Sequence, residues 1–153
     1  MACICCFFGH KDTPESVKDD LYATIENLIA EYGVETFYVG NQGQFDFYTR
    51  AALRQLQRKY PISYAVVLAY MPGEVHEYDD YSDTMLPEGI ESVHPKYAID
   101  WRNRCMLRQS LYVIAYVQHR WGGAARYTQM AVKQGKTVIN LCLKKHRHGG
   151  KSV

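Results

Sequence analysis

The ten residues 37–46, F-Y-V-G-N-Q-G-Q-F-D, constrain this chain more than any other stretch. Phe37, Tyr38 and Val39 form the aromatic and β-branched run of a buried strand. Gly40 and Gly43 follow, with Asn41 and Gln42 between them. A helical period then begins, with Phe45, Tyr48, Ala52 and Leu56 on one face. The order is strand, glycine turn, helix. Such a turn aims backbone N–H groups and the positive end of the helix dipole at one point, which favours an anion. Glycine also lets a ligand approach the backbone where a Cβ would intrude. Many strand-to-helix turns hold two glycines and bind nothing, so the motif gains weight only from similar junctions elsewhere.

Such junctions recur. Residues 2–8 read as a first strand, apolar on both faces and therefore central in a parallel sheet. Gly9, His10, Lys11 and Asp12 end it. Thr13, Pro14 and Glu15 read as a helix start, with a capping hydroxyl, a first-turn proline and an acid beside the dipole. Val17, Leu21, Ile25, Leu28, Ile29 and Tyr32 make its apolar stripe, and Gly33 its stop. The second strand is residues 36–39, with a helix over 44–59, and the third strand is 62–70. Residues 71–97 then lose all period. Pro72, Pro87 and Pro95 punctuate them, and seven acids lie among them, including Glu74 and Glu77, with Tyr78, Tyr81 and Tyr97. A loop of this length reads as a lid over a site. A helix over 99–109, a strand over 111–117, the junction Trp121-Gly122-Gly123-Ala124, a helix to Gln134 and a fifth strand over 137–143 complete the chain.

The alternation predicts an α/β, Rossmann-like three-layer sandwich with a mostly parallel five-stranded sheet. Residues 1–143 form one domain, followed by a basic flexible tail over 144–153. In such sheets ligands bind outside the carboxyl ends of the strands, where the strand order reverses. Gly9, the Gly40/Gly43 pair and the Gly122/Gly123 pair all fall at those ends.

Charge argues against a general nucleic-acid binder. The chain carries 18 basic and 16 acidic residues, a formal +2. Four of the basic residues, Lys144, Lys145, Arg147 and Lys151, lie in the tail, so the body carries a net −2. The five cysteines are odd in number and three crowd into the first strand, which reads as small core residues in a reducing compartment rather than disulfides. C-x-C-C has no second ligand cluster at zinc-finger spacing, so no metal and no cofactor is expected. No run nears the ~18 apolar residues of a membrane span, and residues 2–8 lack a charged leader, so a cytoplasmic protein is expected.

C-C-F-F-G-H-K-D, Y-V-G-N-Q-G-Q-F-D, R-N-R-C-M and W-G-G-A-A-R, in that order, resemble the SLOG superfamily (Smf/DprA–LOG), and within it the small stand-alone YpsA-like proteins. The resemblance covers about residues 3–141. It implies a Rossmann-like fold that binds nucleotides or nucleotide-derived ligands, often as a homo-oligomer. By position it implies three ligand loops: Gly9, His10 and Lys11; Gly40, Asn41, Gln42, Gly43 and Asp46; and Gly122, Gly123 and Ala124. The phosphoribohydrolase branch has P-G-G-x-G-T-x-x-E with a catalytic glutamate. Here Trp121 stands at the proline and Gln129 at the glutamate.

Several residues keep two readings. Gln129 cannot ionise and so cannot act as a general base, though its amide can bond a ribose hydroxyl or a base edge. Asp46 either pairs with a helix start or binds a ribose. His10 and Lys11 bind phosphate or sit in a solvated turn. Arg102 and Arg104 are 200° apart on a helix and cannot share one site, whereas Arg104 and Arg108 can; Arg104 is the candidate. Trp121 stacks on a base or packs. No catalytic residue is assigned. The first functional reading is a module that binds a small nucleotide, ADP-ribose-like or a signalling nucleotide, as sensor, carrier or sequestering sponge. An N-glycosidic hydrolase is the alternative, and a DNA-associated protein the next. Replacing Gly43 with a bulky residue is expected to abolish binding and leave the fold intact.

Overall fold

A computed structural model describes residues 3–70 and 84–143. Of the residues named above, Pro72, Glu74, Glu77, Tyr78, Tyr81 and the basic tail lie outside the described residues.

β1 (Ile4–Gly9) is buried on both faces and occupies the middle of a six-stranded sheet. β2 (Thr36–Val39), β3 (Ser63–Val67), β4 (Thr84–Met85), β5 (Tyr112–Tyr116) and β6 (Thr137–Asn140) complete it, in the order β4-β3-β2-β1-β5-β6. Every pairing is parallel. The two faces of β1 feed two cores. Cys5 and Phe7 point towards α1 (Lys18–Tyr32) and α2 (Gly43–Gln57), where Leu21, Ile25, Phe45 and Leu53 pack. Cys6 and Phe8 point towards α3 (Ala98–Gln109) and α4 (Gly123–Lys133), where Met106, Leu107, Tyr127 and Ala131 pack. The period-2 alternation of an apolar strand thus specifies helices on both sides, and the three-layer expectation holds. The five cysteines are free thiols, and burial pushes Cys6 up to about 12.

Three expectations are corrected. The sheet has six strands rather than five. The extra one, β4, lies within the segment read as a loop, pairs with Val66 and Val67, and has its Met85 carbonyl bonded by the Leu68 N–H. Two residues carry no period, so pattern alone does not reveal such a strand. Beyond β4, Ile90 packs with Ala69 and Ala98, and short 3₁₀ turns at Ile90–Ser92 and Pro95–Tyr97 lead into α3. This half of the expected lid is built into the sheet edge and the start of α3. The fifth predicted strand also stops early, since residues 141–143 are helical. The Asn140 side chain explains the stop: its Oδ1 accepts from the Val117 and Cys142 N–H groups and its Nδ2 donates to the Val117 carbonyl. Finally, Thr13 does not cap a helix. Its hydroxyl donates back to the His10 carbonyl at 2.6 Å, and a 3₁₀ turn at Glu15–Val17 precedes α1.

Candidate functional site

The strand order reverses between β1 and β5, and a cavity of about 310 Å³ opens at the carboxyl ends there. From the first two junctions Gly9, His10, Lys11, Gly40, Gln42 and Asp46 line it. From the third, Gly123 and Ala124 do. The fold therefore gathers all three glycine junctions around one space.

The glycines do different jobs. A Cβ on Gly9 would stand 2.2 Å from Phe45 Cγ, so this glycine lets α2 close onto β1. A Cβ on Gly40 would stand 2.8 Å from both Arg102 Nη1 and Asp46 Oδ2, so Gly40 leaves room for two charged groups. Gly43 has φ +90° and a Cβ there would stand 2.6 Å from the Lys11 Cα. That corrects the Gly43 expectation: a bulky residue would displace the Lys11 backbone, so its effect would not be confined to binding. At Gly122, with φ +93°, nothing lies within 4 Å of an added Cβ, and at Gly123 only Tyr127 Cε2 does, at 4.0 Å.

The two helix starts differ likewise. At α2 the Gln42 N–H donates to Asp46 Oδ2 at 2.9 Å and the Gln44 N–H donates to the Lys11 carbonyl at 2.9 Å. The protein itself thus satisfies donors that the motif was expected to offer a ligand. At α4 the N-cap is Gly122, which has no side chain to cap the helix.

Asp46 is 8% exposed and Arg102 2%. Burial pushes the Asp46 carboxyl up to about 6, against the Gln42 N–H and the Arg102 and Arg50 guanidiniums, which pull it down. Arg102 Nη1 donates to the Val67 carbonyl at 2.9 Å and to Asn41 Oδ1 at 3.4 Å, and its Nε donates to Asn103 Oδ1 at 2.7 Å. These bonds hold a cation at the cavity wall. Tyr127 also lines the cavity. Its hydroxyl donates to Asp100 Oδ1, and burial with that carboxylate pushes it up to about 12, so it remains a phenol.

Six of the sequence candidates stand off the cavity wall. Asn41 acts behind it through Arg102. Gly43 and Gly122 set the backbone turns. Arg104 points elsewhere and pairs with Asp100 at 2.9 Å, so Arg102 is the arginine at the cavity. The period of α3 carried this signal: Ala98, Arg102, Cys105 and Met106 form its buried stripe, and an arginine on that stripe is the inward one. Gln129 is exposed on α4, away from the cavity. Trp121 is 69% exposed at the mouth of the third junction and stacks on His119. Asn103 and Tyr127 are site residues that the sequence did not single out, and Arg102 takes the place expected of Arg104.

An all-parallel sheet with helices on both faces and a cavity at the reversal defines a Rossmann-like α/β protein. Among solved structures it matches DNA processing protein A (DprA) from Streptococcus pneumoniae, with a TM-score of 0.69 and 16% identity over 99% of this chain. The match spans 58% of the DprA chain, and the likeness is one of fold. No family model and no curated protein matches the chain. Among the described residues no helix is long and apolar enough to cross a membrane.

Proposed function

We propose that this chain binds a small phosphorylated nucleotide in the 310 Å³ cavity, as sensor, carrier or sequestering protein of the YpsA-like kind. One observation carries the reading: Gly123 and Ala124, at the open start of α4, face the same space as His10, Lys11 and Arg102. Backbone N–H groups at a helix start, beside the Lys11 and Arg102 cations and a neutral His10, suit a phosphate. The volume is at the small end of the ~300–1,000 Å³ usual for ligand pockets, which favours a mononucleotide-sized group. Calorimetric titration with AMP and with ADP-ribose tests this, together with native mass spectrometry of the protein as purified. Binding that falls at least ~10-fold in Lys11→Ala supports the reading, a loss of about 1.4 kcal/mol. Absence of binding to every nucleotide tried, with no co-purified ligand, would overturn it.

A second reading, hydrolysis of an N-glycosidic bond, rests on Asp46. A carboxyl pushed up to about 6 by burial inside a cavity is suited to proton transfer near neutral pH. Base released over many turnovers from a nucleoside monophosphate, and lost in Asp46→Asn, would put the enzyme first. The fold likeness to a DNA processing protein is the argument for a DNA-associated role, and the −2 body is the argument against it.

A further inference from the structure

Three aromatic rings lie in one pile beside the cavity. His10, a cavity residue, stacks on His119 with centroids 4.2 Å apart and planes at 19°. His119 stacks on Trp121 at 3.9 Å and 11°. Backbone bonds hold both imidazoles. His10 Nε2 accepts the Gln118 N–H at 2.9 Å, and His119 Nδ1 donates to the Trp121 carbonyl at 3.0 Å. His10 must be neutral at Nε2 to accept that bond, and burial with the neighbouring His119 holds its pKa down. Trp121 ends the pile. It is 69% exposed, with one ring face covered by His119.

An indole fixed on one face and open on the other is a ready stacking partner for a flat ring. The separations put Trp121 about 8 Å from His10 along the pile, so a ring on its open face lies outside the cavity. A nucleoside phosphate has that bipartite shape: an anion and a flat base joined by a sugar. We propose that Trp121 is the base subsite of this protein, with His119 as the residue that positions it and the cavity taking the phosphate. This rests on the nucleotide-binding reading and adds to it. The base is read as a flat surface, which admits purines and pyrimidines alike, because ring faces carry no donor and acceptor pattern. Selectivity is then for nucleotides over sugar phosphates.

The test compares AMP with ribose 5-phosphate, which lacks the base, by calorimetry on the full chain. A base stacked on an aromatic side chain raises affinity about 5- to 150-fold, so AMP is expected to bind the wild type more tightly by a factor in that range. Trp121→Ala should equalise the two probes by weakening AMP, with ribose 5-phosphate unchanged within about twofold. The exposure of Trp121 makes an unfolded variant the unexpected result, and ribose 5-phosphate binding checks the fold. His119→Ala should weaken AMP alone, and His119→Phe should restore it. In a Trp101→Phe background AMP should quench the fluorescence of Trp121 and ribose 5-phosphate should not. Equal affinities in the wild type, or an AMP preference that survives Trp121→Ala, would overturn the subsite and leave the cavity reading standing. Fluorescence that follows protein concentration and ignores AMP would assign the ring to a contact between copies and also overturn it. If neither probe binds the wild type, the nucleotide reading fails and the subsite falls with it.

Discussion

The junctions after β1 and β2 and the junction after β5 look alike in sequence and differ in the folded chain. At the first two, each glycine answers to a protein neighbour: Phe45 at Gly9, Arg102 and Asp46 at Gly40, Lys11 at Gly43. The helix start there is bonded to Asp46 and Lys11. At the third, Gly122 faces open space, Gly123 meets only Tyr127 at an ordinary 4.0 Å, and Trp121 is exposed beside them. A glycine next to a strand end therefore records close approach of something. Only the fold says whether that something is another part of the chain or a ligand.

Substitutions at the glycines press hardest on this contrast. Gly9→Ala places a carbon against a fully buried ring, and overpacking of that severity should cost at least ~3 kcal/mol, read as a lower midpoint in urea unfolding. A midpoint unchanged from the wild type would show that Phe45 yields freely and that Gly9 is not a packing glycine.

The buried carboxylate of the same side gives an effect of similar size through pH. Asp46 holds its proton more tightly when folded, at about 6 against 3.8 when free. Its contribution is therefore fully present below pH 3.8 and is lost as pH rises through about 6. Over that window the wild type should lose about 3 kcal/mol from this group, at 1.36 kcal/mol per unit. Unfolding free energies measured from pH 4 to pH 7 should fall in the wild type, with a flatter profile in Asp46→Asn. Identical profiles would place the ionised carboxylate in an environment as favourable as water.

Smaller effects belong to the open junction. Gly122→Ala meets no atom and strains only the backbone at φ +93°, so a loss of about 1–2 kcal/mol is expected. Gly123→Ala should change stability by less than ~0.5 kcal/mol, since an added Cβ makes ordinary contact at 4.0 Å, while nucleotide affinity falls as the methyl enters the cavity. A stable Gly123→Ala protein that binds AMP as well as the wild type would make the two sides of the site equivalent after all.

The layers, and the edge at which a site belongs, were legible in the residues without coordinates. Runs such as residues 4–9, apolar on both faces, demand a central parallel strand, and helical stripes such as Leu21, Ile25 and Leu28 demand a sheet to cover. Those signals are local, repeated and set by backbone geometry, so they survive without coordinates. β4 was illegible because two residues have no period, and the end of β6 because one asparagine side chain ends a strand whose apolar pattern continues. The site was legible as backbone and illegible as side chains. Gly9, Lys11 and Gly123 mark strand ends and helix starts, but Arg102 reaches the cavity from a helix more than fifty residues beyond Asp46. Whether Arg102 or Arg104 turns inward depends on how α3 is rotated against β1 and β3, and whether a helix start is open or filled depends on which loop lies across it. The stripe of α3 favours Arg102, but which stripe meets the sheet and which helix start stays open are decided by packing between segments distant in sequence, and therefore by the tertiary structure.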